Sequence, residues 1–200
     1  MIITNFSNYP EFKIDESSLR QCVRKHFYKI KRPVYIEVDK KLENAYGMQT
    51  VLCIKDYENH SQHWTSNFIK EVNSKDDHFH RIKLSYGYLD TAFHNQTKSK
   101  RQTKNWGLSD HYEFKRGQYP FVYLFHVLSH ELQHSQQIEE SNGRFFPYVV
   151  VSDLFLQYKT PNWKEYNYLK EQGCKVEMEF DAEVAALKKG PKMFRTYYGI

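Results

Sequence analysis

The chain has 200 residues, a hydrophobic share of 40%, an aromatic share of 16% and a formal net charge of +5. That length supports a core, and sixteen Tyr and fourteen Phe supply large buried areas, which excludes a disordered chain. No run approaches the roughly 20 apolar residues that span a bilayer, and the three cysteines, Cys22, Cys53 and Cys174, form no C-x-x-C pair, which argues against a disulfide framework and a cysteine-based zinc site.

Met1 to Phe6 lacks a basic n-region, an apolar h-region and a small-residue cleavage site, so no secretory signal is expected and the cytoplasm is the expected compartment. The elements then follow in chain order. Ile14 to Ile30 reads as a helix, with Asp15 as N-cap and Leu19, Val23 and Phe27 at spacings of four. Val34 to Val38 follows Pro33 and is β-rich, and Met48 to Ile54 reads as a second strand. From His78 to Tyr88, Phe79, Arg81, Lys83 and Ser85 alternate with His80, Ile82, Leu84 and Tyr86. That is a half-buried strand, either a plain sheet strand or an edge on which an extended peptide could align. Asn95 to Asn105 is polar, basic and without an apolar residue, and reads as an exposed loop. Its Lys98 to Lys104 run leaves room for nucleic-acid contact, but lacks the interleaved aromatics of a single-strand binder. Pro120 to Ile138 is a helix with Pro120 in its first turn. Phe146 to Gln157 is apolar and ambiguous, and Asn162 caps a helix from Trp163 to Glu171 ended by Gly173. A last helix runs from about Cys174 to Lys189 and stops at Gly190-Pro191. Strands first and helices later predict a single α+β domain spanning the chain.

Within the Pro120 helix stands His130-Glu131-Leu132-Gln133-His134. Residues four apart on a helix share a face, so both imidazoles can reach one metal ion. Glu131 lies about 100° further round, beside the ion without filling a coordination position, where it can take a proton from an attacking water. A hydrolytic zinc site needs a third protein ligand and an open position. No histidine follows His134, so that ligand is a carboxylate or an upstream histidine. In the last helix Glu179 and Glu183 fall among Ala182, Ala186, Val176, Leu187, Phe180 and Val184, while Glu177, Asp181 and Lys188 form a polar face. Carboxylates on an apolar face are costly unless paired. A cation with a histidine N–H would satisfy them, and so would a salt bridge to Arg or Lys. The alanines allow a close approach to the His130 helix.

H-E-x-x-H followed by E-x-x-x-[DE] resembles the gluzincin metallopeptidases. Glu179 to Ala186 is also similar to the E-x-x-A-[ND]-x-F-A helix of the ImmA/IrrE-type intracellular peptidases, with Gln133 where that family usually has Gly and Ala185 where it often has Phe. The resemblance covers two helices only. It implies a compact zincin-like fold with a small N-terminal sheet, an HExxH helix and a C-terminal glutamate helix. It also implies one Zn2+ held by His130, His134 and Glu179, with Glu183 hydrogen-bonded to His130. The expected activity is peptide hydrolysis on a polypeptide substrate, with Glu131 as general base. The alternative is a zincin-like binding module for a protein or nucleic acid. His126, one turn before His130, borders the cleft or replaces a ligand, and Tyr123 and Gln137 share its side. Tyr166, Tyr168, Tyr197, Tyr198, Arg195 and His111 are eligible oxyanion stabilisers.

Overall fold

The computed structural model describes residues 1–43, 45–53, 78–115, 117–140 and 176–200, with the backbone alone for 51–53 and 176–180. Strands β1 (Ile2–Thr4), β2 (Val34–Asp39), β3 (Gly47–Cys53) and β4 (His78–Ser85) form one sheet in the order β1-β2-β4-β3. The β1–β2 and β2–β4 pairs are parallel, with Ile2 opposite Val34 and Val34 opposite His80. β3 runs antiparallel to β4, with Gly47 opposite Leu84 and Cys53 opposite His78.

The expected alternation holds from His80 to Leu84, where His80, Ile82 and Leu84 are buried and Arg81 and Lys83 half-buried, but Phe79 and Ser85, on the side of Arg81 and Lys83, are buried as well. In the sheet β4 is a plain interior strand and not the edge that was its alternative. β4 lies between β2 and β3, and its outward cations find carboxylates on the neighbouring strand instead of solvent. Arg81 Nε reaches Glu37 Oε1 at 2.6 Å and Lys83 Nζ reaches Asp39 at 2.6 Å. Cross-strand pairs of opposite charge favour this register. Tyr86 leaves the strand and opens a helix. Among the described residues β1 and β3 are the outer strands of the sheet.

Helix α1 (Glu16–His26) joins β1 to β2 and begins as expected, since the Asp15 carboxylate accepts from the Ser17 and Ser18 N–H groups. Helix α2 (Tyr86–His94) follows β4 directly. The segment 95–105, expected as a loop, is helix α3 (Gln96–Asn105). Asn95 Oδ1 accepts from the Lys98 N–H at 3.0 Å. Gln, Lys and Arg are good helix formers, and the small Ser99 and Thr103 face inward, with the Ser99 hydroxyl bonded to the Ala92 carbonyl. A buried stripe without large apolar residues hid this helix from pattern reading. The cations Lys98, Lys100, Arg101 and Lys104 remain exposed.

Helix α4 (Tyr119–Glu140) is the centre of the fold. It touches β3, β4, α2 and α3 and packs most extensively on α5 (Val176–Tyr198). Burial on almost every side takes in a wide apolar stripe and also polar residues, among them Ser129, Glu131, Gln133, His134 and Ser135. α5 does not stop at Gly190-Pro191 but runs on to Tyr198. A Gly and a Pro inside a helix cost about 1 and 3 kcal/mol. Met193 and Phe194, both fully buried beyond them, each contribute about 1.5–3 kcal/mol and offset that cost. Gly190 also suits the contact: a Cβ there would lie 2.1 Å from the Tyr112 hydroxyl oxygen and 3.2 Å from the Phe125 carbonyl oxygen.

The core joins Phe12, Leu19, Val23, Ile36, Ile82, Leu84, Leu124, Phe125, Leu128 and Phe194. Among the described residues no helix is long and apolar enough to cross a membrane. Cys22 is a buried free thiol whose burial pushes it up to about 11. The expectations for Phe146 to Gln157 and for Asn162 to Gly173, including Tyr166 and Tyr168, lie outside the described residues, as do Cys174 and the side chains of Cys53, Glu177 and Glu179.

Candidate metal centre

Helix spacing places His130 and His134 on one side of α4, and their rings meet nearly edge-on, 80° apart in plane. The two Nε2 atoms are 3.1 Å apart. Two nitrogens each about 2.0–2.1 Å from a tetrahedral zinc ion stand about 3.3–3.4 Å apart. The imidazoles thus already hold nearly the separation that such an ion requires.

Each ring presents its other nitrogen to an acceptor. His130 Nδ1 lies 3.3 Å from Glu183 Oε2, and His134 Nδ1 lies 2.9 Å from Gln137 Oε1. Nδ1–H donation to these oxygens leaves the Nε2 lone pairs for a cation and sets both ring orientations. The support reaches across to α5 twice. Glu183 belongs to α5, and Gln137 in turn donates to α5 Asp181 at 2.9 Å. Gln133 donates to the same carboxylate at 2.9 Å and accepts from Lys189. Asp181, on the polar face read from the sequence and exposed, also stitches α5 to α4. Fully buried Ala182 and Ala186 permit the close approach.

Glu183 has two histidine partners. Its second oxygen, Oε1, is 3.1 Å from His126 Nε2. Burial works against the charge on Glu183, but His126 and then His130 outweigh it and hold the carboxyl far below the usual range. Among the described residues the partners of Glu183 are imidazoles, not the Arg or Lys of a salt bridge. Because Glu183 meets His130 at Nδ1, it lies on the ring edge away from the Nε2 pair and supports that pair without belonging to it.

Glu131 is buried, 8% exposed, and is walled by the start of β3. A Cβ at Gly47 would lie 2.8 Å from Glu131 Oε1 and 2.9 Å from Val127 Cγ1. The absent side chain at Gly47 makes room for the carboxylate, a role that sequence reading missed, since nothing local ties a strand glycine to a distant helix. His126 is buried beside Trp106, with ring centroids 5.6 Å apart. Trp106 also stacks on Tyr123, which Tyr46 meets edge-on.

Among the described residues, no group of three His, Cys, Asp or Glu side chains could hold a metal ion. The third expected ligand, Glu179, stands one helical turn before Glu183 on the α5 backbone. Of the eligible oxyanion stabilisers, the Tyr197 hydroxyl accepts from the Asp15 N–H, Tyr198 packs on Phe194, and His111 is exposed. Comparison with protein-family models, curated proteins and solved structures finds no match for this chain.

Proposed function

We propose that this chain is a zinc-dependent peptidase with a zincin-like arrangement of sheet edge, HExxH helix and glutamate helix. The observation that carries this reading is the 3.1 Å approach of the two Nε2 atoms, each ring held by an acceptor at Nδ1. A buried carboxylate stands next in sequence, at Glu131. In this reading His130, His134 and Glu179 hold one Zn2+ and leave a position open. Zinc, when bound, acidifies a water and polarises the carbonyl to be attacked. Glu131 takes the proton of the attacking water and delivers it to the leaving amine. Gly47 keeps Glu131 unhindered, while Glu183 and Gln137 orient the imidazoles. β3, antiparallel to β4 and an outer strand among the described residues, is the natural strand for an extended substrate to pair with. The substrate is a polypeptide, met in the cytoplasm.

The test combines metal analysis with two substitutions. Purified protein should carry one zinc. Glu131→Gln should keep it and lose hydrolysis of a denatured-protein substrate by about 10²–10⁴-fold, whereas His130→Ala should lose both metal and hydrolysis. Wild-type turnover in Glu131→Gln would remove Glu131 from its role, and protein without zinc affinity would sink the reading. The exposed cations of α3 favour the rival, a binding module. It predicts nucleic-acid affinity that falls steeply with salt and no hydrolysis.

A further inference from the structure

His126 is engaged through one nitrogen only. Its Nε2 meets Glu183 Oε1 at 3.1 Å, and its Nδ1 is buried with no hydrogen-bond partner among the described residues. Such a nitrogen carries a desolvation penalty that an apolar side chain would avoid. A place between Trp106 and the core would suit Leu or Phe on packing grounds alone, so the value of an imidazole here must come through Nε2. Glu183 explains that value. A carboxylate with one donor, His130 on Oε2, remains able to turn about its terminal bond. A second donor on the opposite oxygen fixes its plane. His126 and His130 are one turn apart on α4 and clasp the carboxylate from both sides.

We propose that His126 is a positioning residue for the metal centre: it locks Glu183 in the orientation that directs His130 Nε2 toward the ion, so that His126, Glu183 and His130 act as one chain. This rests on the zinc reading above. The working motif on α4 is then H-x-x-x-H-E-x-x-H, with its first histidine acting through a carboxylate of α5 instead of binding metal.

The test is zinc affinity, measured by chelator competition on the full chain, for wild type and for His126→Leu, His126→Gln and His126→Asn, each with and without Glu183→Ala. Loss of a support of this kind weakens metal binding by about 10–100-fold. His126→Leu and His126→Asn should show that loss. His126→Gln, whose amide reaches as far as Nε2, should stay within a few-fold of wild type. In the Glu183→Ala background the three substitutions should change affinity less than about twofold, since coupled residues are not additive. Equal affinities for the Gln and Asn variants overturn the proposal even if the Leu variant does not fold. A loss that is the same with and without Glu183 also overturns it. Wild-type protein that binds no zinc refutes the function itself, an outcome separate from both.

Discussion

Glu131 shows how closely a single residue can depend on one that is far away in sequence. Its carboxylate occupies the space that a side chain at Gly47 would take. Gly47→Ala should push the carboxylate, the movable partner in that contact, out of line with the attacking water. We expect turnover to fall by about 100-fold, as misplacements near 1 Å do, with zinc content unchanged and a stability loss of about 1–3 kcal/mol. Steady-state kinetics with metal analysis checks this, and an Ala variant of full activity would show that Glu131 does not need that space. The Gln137–Asp181 support of His134 was similarly hard to foresee, because the exposed Asp181 sits on a different helix, on the polar face that the sequence suggested.

At the scale of elements, the α4–α5 pair decides the site, and Gly190 sets its closeness. Ala there must displace the buried Tyr112 and press on the backbone of α4 at Phe125. Overpacking of this kind costs about 1–3 kcal/mol, and the 2.1 Å approach puts Gly190 at the upper end, beyond the roughly 1 kcal/mol that Ala regains in helix propensity; each net kcal/mol lowers the melting temperature of a chain this size by about 2–4 °C. Gly190→Ala should therefore melt several degrees below wild type in a thermal scan, and an unchanged Tm would mean that the helices are not in close contact there. The same pair explains the missed helix end. Gly-Pro is a strong local stop, but the buried Met193 and Phe194 draw the helix onward.

Across the whole molecule, the far end of α4 is tied to the sheet by a buried polar network. His80 Nε2 meets Glu139 Oε1 at 3.0 Å, Gln49 meets His80 Nδ1 at 3.2 Å, and the Arg32 N–H donates to Glu139 at 3.0 Å. Burial opposes the Glu139 charge, but the His80 and Arg32 bonds outweigh it and lower its carboxyl below the ordinary value. A carboxyl lowered on folding stabilises above its unfolded pKa, and that contribution is lost as pH falls through the folded one. The stability gap between wild type and Glu139→Gln should thus be largest near neutral pH and shrink as the pH drops below about 4. Urea unfolding across that range measures it, and a gap that grows toward acid would contradict the sign.

Local pattern was sufficient for much of this protein. Periodicity and capping marked α1, β2, β3 and α4, because each depends on residues within a few positions of one another. The four-residue spacing in α4 put two imidazoles on one face for the same reason. What the chain could not disclose alone was relative placement. The helical state of 95–105 rests on small polar residues packed against other helices. The interior position of β4 rests on carboxylates of β2. The resemblance implied that Glu183 meets His130, but its second contact, to His126, and the contact of Glu131 with Gly47 rest on the register of α4 against α5 and of β3 against α4. Registers of that kind come from side chains interlocking across long sequence separations, and no local periodicity encodes them.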